Sequence, residues 1–446
     1  MEIKIPDNAN KILNQIENNG HTAYVVGGCV RDSLMGREPH DWDICTSATP
    51  DEVLKIFKNK RVSTVGIEHG TVVILIGNEE YEVTTYRIDG EYSDNRRPDK
   101  VKYTSSLVND LSRRDFTINA LAYNERTGLV DPFNGYKHIK EKKLKCVGNP
   151  EKRFTEDALR ILRLYRFQAQ LGFEIEENTE KASKSMLDNI NNLSKERVQS
   201  ELCKLICGDY FFDVMKNNSD IVCKIIPELN DCVGFNQNNK YHIYDIYEHT
   251  LVAMKNSVND KIVRLALLLH DIGKPKACEL GDDGYYHYHG HGKISKDISE
   301  NILNRLRFDN KTKNIILVLV EEHDRTISCT EKSIKRLLNK FGEQAVRLLL
   351  EVRIGDIKGH NPEFNEVAIE NNKKQREILD KIITDNQCFG LKDLNINGKD
   401  LINLGFKEGK EIGDVLNGLL NLVIDNELEN SKDKLLEKAK SLKRVL

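Results

Sequence analysis

Two aspartates one residue apart, Asp41 and Asp43, follow a glycine pair and an arginine in the segment GGCVRDSLMGREPHDWD. In an extended segment residues two apart point to the same side, so both carboxylates face one site, where paired hard oxygen ligands suit Mg²⁺. A divalent cation also removes the repulsion between them. Upstream, Gly27 and Gly28 let the backbone approach a ligand closely, and Arg31 supplies a planar fork for phosphate oxygens. Each feature alone has a plainer account, since glycine pairs serve steric turns and an isolated acid pair often belongs to a solvated loop. Taken together they supply what phosphoryl transfer needs: metal carboxylates and phosphate clamps.

A third element is Arg113-Arg114-Asp115-Phe116-Thr117-Ile118-Asn119-Ala120. Its two arginines and aspartate, Arg113, Arg114 and Asp115, read either as a charged cap ahead of an amphipathic helix or as groups that hold a triphosphate and sugar opposite the metal. Further on, Glu156-Asp157-Ala158-Leu159-Arg160 reads as the opening of a helix, with Arg163 and Arg166 following at steps of three. Asp157, Arg160 and Arg163 then share one surface, which in an anonymous helix is a solvated face of salt bridges.

The second half carries a different series: His249, His270-Asp271, His291, His323 and Asp356. A single histidine on an apolar helix is usually a satisfied core residue, but four in series with two aspartates form a ligand set. Imidazole and carboxylate suit Mn²⁺, Ni²⁺, Co²⁺ or Fe²⁺ as well as Mg²⁺. The segment YYHYHGHGK offers His287 and His289 as alternatives to His291.

These residues need elements to hold them. TAYVVGG, TVVILIG and YEVTTY read as strands, DEVLKIFK as a helix, and FTINALAYN as the start of another. After about residue 151 strand signals almost vanish, and TEDALRILRLYRFQAQLGF, SKERVQSELCKLI, KIVRLALLLHDIG and KSIKRLLNKFGEQAVRLLLEVRIGD repeat apolar residues at three and four. The expected fold class is α+β, with a mixed-sheet head followed by an elongated all-α body. Breaks fall at CVGNP, at the polar stretch from MKNNSD to NQNNK, and near NPEFN to DNQCFG.

With 446 residues, 39% hydrophobic, 31% charged and a formal net charge of -3, the chain has the composition of a multidomain globular protein and excludes wholesale disorder. Charge total names no partner, so a nucleic-acid surface has to come from local Lys and Arg. No apolar run approaches the roughly 18 residues of a membrane helix, and MEIKIPDNAN does not read as a signal peptide, so the expectation is a cytoplasmic protein without a membrane partner. The ten cysteines show no CxxC or zinc spacing and are expected to be reduced core thiols.

The segments YVVGGCVRD, HDWDICTSATP, YRIDGEYSDNRRPDKVKY, LSRRDFTINALAYN, DPFNG and RFTEDALRILRLYRFQAQLGF resemble, in order and spacing, the polymerase β-like nucleotidyltransferases and within them the bacterial class II CCA-adding enzymes. The resemblance implies template-independent addition and repair of the tRNA 3′ CCA from CTP and ATP, with tRNA as partner. Asp41 and Asp43 would hold two Mg²⁺ ions, and Gly27, Gly28, Arg31, Arg114 and Asn119 would bind nucleotide. Asp115 would contact the ribose or act as a further carboxylate. In such enzymes an EDxxR helix reads the base, so Asp157 would accept from an exocyclic amino group and Arg160 would donate to a ring nitrogen or carbonyl, favouring C and A. Arg163 and Arg166 would add nucleotide or phosphate contacts.

Two relatives lie close by. Bacterial poly(A) polymerases carry a DPxRxLR-like helix, where this chain has Ala158. Partial CC-adding enzymes lack an intact loop, whereas DGEYSDNRRPD reads as complete, so addition of the final A is expected. LALLLHDIGKP, with EHT and RIGDIKGH, matches the HD-domain signature, which implies a metal-dependent phosphohydrolase acting on 2′,3′-cyclic phosphates or phosphate monoesters. A chain that is chiefly such a phosphohydrolase is the alternative from another class. The expected domains are a head at 1–147, a neck at 148–215, an HD-type body at 216–365 and a tRNA-binding helical tail at 366–446, in a monomer or homodimer.

Overall fold

The computed structural model describes residues 2–89 and 101–443. The loop DGEYSDNRRPD, on which the expected addition of the final A rests, lies almost wholly outside the described residues. The chain forms two compact units, Met1–Ile225 and Ile226–Leu446.

In the first unit the strands include β1 (Ala23–Val26), β2 (Ile44–Thr46), β3 (Arg61–Ser63), β4 (Thr71–Ile76), β5 (Glu79–Thr85), the pair β6 (Arg87–Asp89) and β7 (Val101–Tyr103), then β8 (Ala122–Asn124) and β9 (Gly128–Val130), besides a short parallel pair, Lys143–Leu144 with Glu174–Ile175. Seven of them form one sheet in the order β3-β4-β5-β2-β1-β8-β9. It is mixed, as expected: β2 and β5 run parallel with Ile44 opposite Val83, and the other pairings are antiparallel. Along β5 the side chains alternate, so Tyr81, Val83 and Thr85 are buried while Glu82 is exposed on the opposite face.

Helices α1 (Asp7–Glu17), α2 (Gly28–Leu34), α3 (Pro50–Ile56), α4 (Leu107–Ser112) and α5 (Gly135–Lys140) accompany the sheet. The start of α3 is set by a capping box, in which Thr49 and Glu52 satisfy each other's end groups and Pro50 fills the first turn. Six helices follow: α6 (Pro150–Glu156), α7 (Leu159–Leu171), α8 (Glu177–Ser185), α9 (Lys195–Ile206), α10 (Phe211–Asn217) and α11 (Ser219–Ile225). The face of α7 with Ile161, Leu164, Tyr165 and Phe167 is buried, which fixes the helix and aims its arginines.

Two local expectations are corrected here. FTINALAYN does not begin a helix: Thr117–Asn119 make one 3-10 turn, and Ala122–Asn124 enter the sheet as β8. EDALR does not open a helix either. The predicted helix is two, α6 ending at Glu156 and α7 starting at Leu159, with Asp157 extended between them at φ -148° and ψ 103°. The Asp157 carboxylate accepts from the Leu159 amide at 3.0 Å, offering the backbone an alternative to a continuous helical ladder.

The second unit is helical: α12 (Ile246–Lys255), α13 (Lys261–Leu269), α14 (Lys274–Ala277), α15 (His291–Arg305), α16 (Asn310–Glu322), α17 (Glu331–Gly359), α18 (Glu366–Thr384), α19 (Gly398–Asn403), α20 (Lys410–Ile424) and α21 (Lys432–Lys443). Asp260 and Asp309 cap α13 and α16 by accepting from first-turn amides. α17 kinks at Gly342, whose φ of 78° only glycine adopts readily. Among the described residues no helix is long and apolar enough to cross a membrane, and all ten cysteines are free.

Candidate active site and a second ligand cluster

The first site is built at the end of β1. Gly27 takes φ 82° and ψ -123°, then caps α2, and this turn places Gly28 and Arg31 just past the C-terminal end of β1. The positive φ favours glycine, and a Cβ there would stand 2.9 Å from Arg114 Nη1 and push that guanidinium aside. Arg31 is buried; Nε and Nη2 each donate to Asp32 at 2.9 Å, and Nη1 donates to Asn119 Oδ1 at 2.6 Å.

Asp43 precedes β2, and the parallel β2–β5 register sets it beside Glu82. Asp43 remains exposed, yet the wall around it is dense enough to disfavour its charge. Its pKa is pushed up to about 6, first by burial of the carboxylate among protein atoms and then by Glu82 and Asp41, with Arg114 opposing. Among the described residues Asp41, Asp43 and Glu82 feel one another's charge but do not bring three ligand atoms together as the histidine clusters of the second unit do.

A cavity of about 470 Å³ gathers every predicted head residue except Asp41: Gly27, Gly28, Arg31, Asp43, Arg114, Asp115, Asn119, Asp157, Arg160, Arg163 and Arg166 all line it. Asp41 is exposed and lies outside that lining. Arg113, Leu159, Phe167 and Arg197 complete the wall. Seven arginines against three aspartates make the cavity suited to a polyanion.

Protein partners already order these side chains. Asp115 accepts from the Phe116 amide at 2.8 Å, from Asn119 Nδ2 at 3.2 Å and from Arg163 at 2.6 Å, so both of its oxygens are engaged. Arg160 donates to Glu156 at 2.7 Å and to the carbonyls of Arg153 and Arg113. Asp157 Oδ2 accepts from Arg197 Nη2 at 2.7 Å, and Arg166 pairs with Glu201 at 2.7 Å. Burial draws Arg166 down to about 10 against the pull of Glu201.

The second site lies in the helical unit, where all six predicted ligands converge. His249 Nε2 stands 3.0 Å from Asp356 Oδ1 and 3.3 Å from His270 Nε2, and His270 Nε2 is 3.2 Å from Asp271 Oδ2. On the other side, His291 Nε2 lies 3.0 Å from His323 Nε2 and 3.3 Å from Asp271 Oδ1. Asp271 therefore stands between two imidazole sets with one oxygen toward each. Both oxygens are buried, and Oδ2 is also paired with Lys274 Nζ at 2.7 Å. Burial would lower the His270 pKa, but Asp271 and Asp356 raise it to about 10, and Lys274 adds a further positive charge beside Asp271.

His291 is thus the member of its trio that joins the cluster, while His287 pairs with Asp283 and stacks on His289. The ring nitrogens oriented by backbone carbonyls leave Nε2 inward: Nδ1 of His270, His291 and His323 faces Leu267, Tyr288 and Val320 carbonyls.

Three family models match the chain: the Poly A polymerase head domain over residues 23–145, the probable RNA and SrmB-binding site of polymerase A over 172–231, and the putative tRNA nucleotidyltransferase domain 2 over 291–439. The CCA-adding enzyme of Ligilactobacillus salivarius is 33% identical over 450 residues, covering 98% of each chain. The chain belongs to the CCA-adding enzymes. The Staphylococcus epidermidis relative of that name is likewise 33% identical, with 98% of each chain covered. A solved Bacillus stearothermophilus CCA-adding enzyme in complex with CTP superposes with a TM-score of 0.70 at 28% identity, covering 98% of this chain and 97% of that one. The chain is accordingly a nucleotidyltransferase with an α+β fold of that family.

Several residues of the two sites carry little signal in the sequence. Glu82 carries a signal only as the exposed member of an alternating strand, and its neighbour Asp43 is distant in sequence. Phe167 and Arg197 read as ordinary amphipathic positions. His242 and His360, whose ring nitrogens approach His249, border the second cluster; the GDIKGH spacing places His360 one turn after Asp356 and could have flagged it.

Proposed function

We propose that the chain adds and repairs the 3′-terminal CCA of tRNA without a nucleic-acid template, using CTP and ATP and releasing pyrophosphate. The observation that carries this reading is the arginine-lined cavity with Asp43 in its wall and Asp157 and Arg160 beyond. The triphosphate lies against Arg31, Arg114, Arg163 and Arg166, and the turn at Gly27 and Gly28 admits it to the backbone. The tRNA 3′-hydroxyl oxygen attacks the α-phosphorus and releases its proton to solvent, the bond to the α,β-bridging oxygen breaks, and pyrophosphate leaves toward the arginines.

Asp41 and Asp43, with Glu82 beside them, would hold Mg²⁺, which when bound supplies charge neutralisation at the phosphates and at the attacking oxygen. Asp157 accepts from the amino group of C or A, its carboxylate fixed by Arg197; Arg160, fixed by Glu156, donates to the base edge. Expected domains are 1–147, 148–215, 216–365 and 366–446, with the last contacting tRNA in the cytoplasm.

The test is extension of tRNAs ending at the discriminator base, at C or at CC, with labelled CTP or ATP and Mg²⁺. Asp41→Ala and Asp43→Ala should abolish extension; normal rates in either would overturn the metal assignment. Addition that continues beyond one A would favour a poly(A) polymerase, and arrest at CC a partial enzyme.

A second reading concerns the helical unit and rests on the Asp271 oxygens between two imidazole sets. We infer an HD-type centre in which His249, His270, Asp271 and Asp356 hold one ion and Asp271, His291 and His323 another, either Mn²⁺, Ni²⁺, Co²⁺, Fe²⁺ or Mg²⁺. Its substrates are 2′,3′-cyclic phosphates or phosphate monoesters at damaged RNA ends. Cyclic-phosphate hydrolysis should survive Asp41→Ala and vanish with His270→Ala; the opposite pattern would sink the assignment.

A further inference from the structure

Phe167 sits on α7, is 4% exposed, and still borders the nucleotide cavity. Three guanidinium groups stand over its ring: Arg166 at 3.8 Å from the centroid, Arg31 at 5.2 Å and Arg163 at 5.3 Å. The face of an aromatic ring carries negative potential and attracts cations within about 6 Å, more strongly where water is excluded. The plane of this ring is fixed by Phe116, which meets it edge to face with centroids 5.8 Å apart at 84°. Phe116 is fully buried and follows Asp115 directly, so the phenylalanine of the RRDF segment orients the platform.

Each of the three arginines also has an acid of its own: Asp32 for Arg31, Asp115 for Arg163 and Glu201 for Arg166. Those acids come from three different segments, α2, the turn after α4, and α9. They neutralise the arginines singly. The ring is the group that all three share, and it offsets the repulsion of bringing three like charges together.

We propose that Phe167 is a positioning residue of the triphosphate cradle, an aromatic platform that gathers Arg31, Arg163 and Arg166 into one anion-binding cluster. The proposal rests on reading the cavity as the nucleotide pocket. An aliphatic side chain of similar volume fills the same space without the ring's potential, so the phosphate-binding role separates from the packing role. Without the platform the phosphate portion of any nucleotide is held less well, while base choice, carried by Asp157 and Arg160, is unaffected.

The test uses the full chain as wild type, Phe167→Leu, Phe167→Met and Phe167→Tyr, with melting temperatures and calorimetric titration of CTP, ATP and inorganic pyrophosphate. Dissociation constants of all three should rise by a common factor on the order of tenfold in the two aliphatic variants. Phe167→Tyr should stay within about twofold of wild type. The preference for CTP over UTP should not change in any variant. Unchanged pyrophosphate binding in a folded aliphatic variant would overturn the proposal, as would a loss in Phe167→Tyr equal to that in Phe167→Leu. If both aliphatic variants unfold while Phe167→Tyr folds, the ring serves the core and the proposal also falls. Arg31→Ala and Arg166→Ala separate the two levels. Weakened pyrophosphate binding in these, with none in Phe167→Leu, defeats the platform alone; unchanged binding in all of them defeats the cradle and the platform with it.

Discussion

Asp115 and Arg163 meet at 2.6 Å, joining the segment after α4 to the second turn of α7. Burial alone would raise the Asp115 pKa, but Arg163 and the Phe116 amide hold it well below the usual carboxylate range. The pair therefore fastens the segment that carries Arg113 and Arg114 to the helix that carries Arg160 and Arg166. Removing one partner leaves a buried charge, which costs about 3–5 kcal/mol. Arg163→Met should lose stability of that order in urea titrations, and Asp115→Asn added to it should recover most of the loss. Because the folded pKa is depressed, the contribution is present above the unfolded value of 3.8 and is lost as pH falls below it. Acid unfolding of Asp115→Asn should lack that component.

Asp43 has the opposite sign. Its folded pKa is raised to about 6 from 3.8, so the metal-free fold is strained by ionising it, and this strain develops as pH rises between those values. At pH 7.5 Asp43→Asn should melt higher than wild type without Mg²⁺, while Mg²⁺ should raise the melting temperature of wild type alone. Half-saturation by Mg²⁺ should shift to higher concentration as pH drops through about 6. A lower melting temperature for Asp43→Asn would show that the carboxylate is not destabilised in the apo fold.

Gly27→Ala tests the turn. Its φ of 82° with ψ of -123° is a region that costs a side-chain-bearing residue about 1–3 kcal/mol. The new methyl would also lie 2.9 Å from Arg114 Nη1 and displace it. Stability should fall by that amount, and the KM for CTP and ATP should rise together. A rise for only one of the two would place Arg114 in base selection instead of at the phosphates.

How far these sites were legible depended on whether the signal was local. Strands β1, β4 and β5 were readable from their apolar runs, and the eleven head residues that share one cavity from motif spacing, because each motif lies within one turn or strand end; Asp41 alone falls outside that lining. The break at Asp157 was not readable: EDALRILR has unbroken helical spacing, and only the Asp157 contacts to Leu159 and Arg197 show why the chain interrupts it. FTINALAYN failed for a related reason, since Ala122–Asn124 become a strand by pairing with β1, a contact from nearly a hundred residues away. Glu82 was invisible because its meaning comes from the β2–β5 register. The convergence of the histidines was more legible, since each sits at a helix end or on a helix face whose spacing the sequence displays.

The Asp271 geometry leads to a metal count. Its two oxygens face separate imidazole sets, at 3.2 Å from His270 Nε2 and 3.3 Å from His291 Nε2. Loading with Mn²⁺, removing free ion and measuring bound metal by mass spectrometry should give two ions per wild-type chain. His323→Ala, which strips only the His291 side, should retain about one, and His249→Ala should likewise retain about one from the other side. Asp271→Asn, which weakens both positions at once, should retain almost none. Because metal binding to the fold raises its stability through mass action, chelator should lower the wild-type melting temperature more than that of either histidine variant, and least of all that of Asp271→Asn. Equal metal content in His323→Ala and wild type would remove the His291–His323 position, whereas complete loss in every variant would mean that the cluster holds one shared ion.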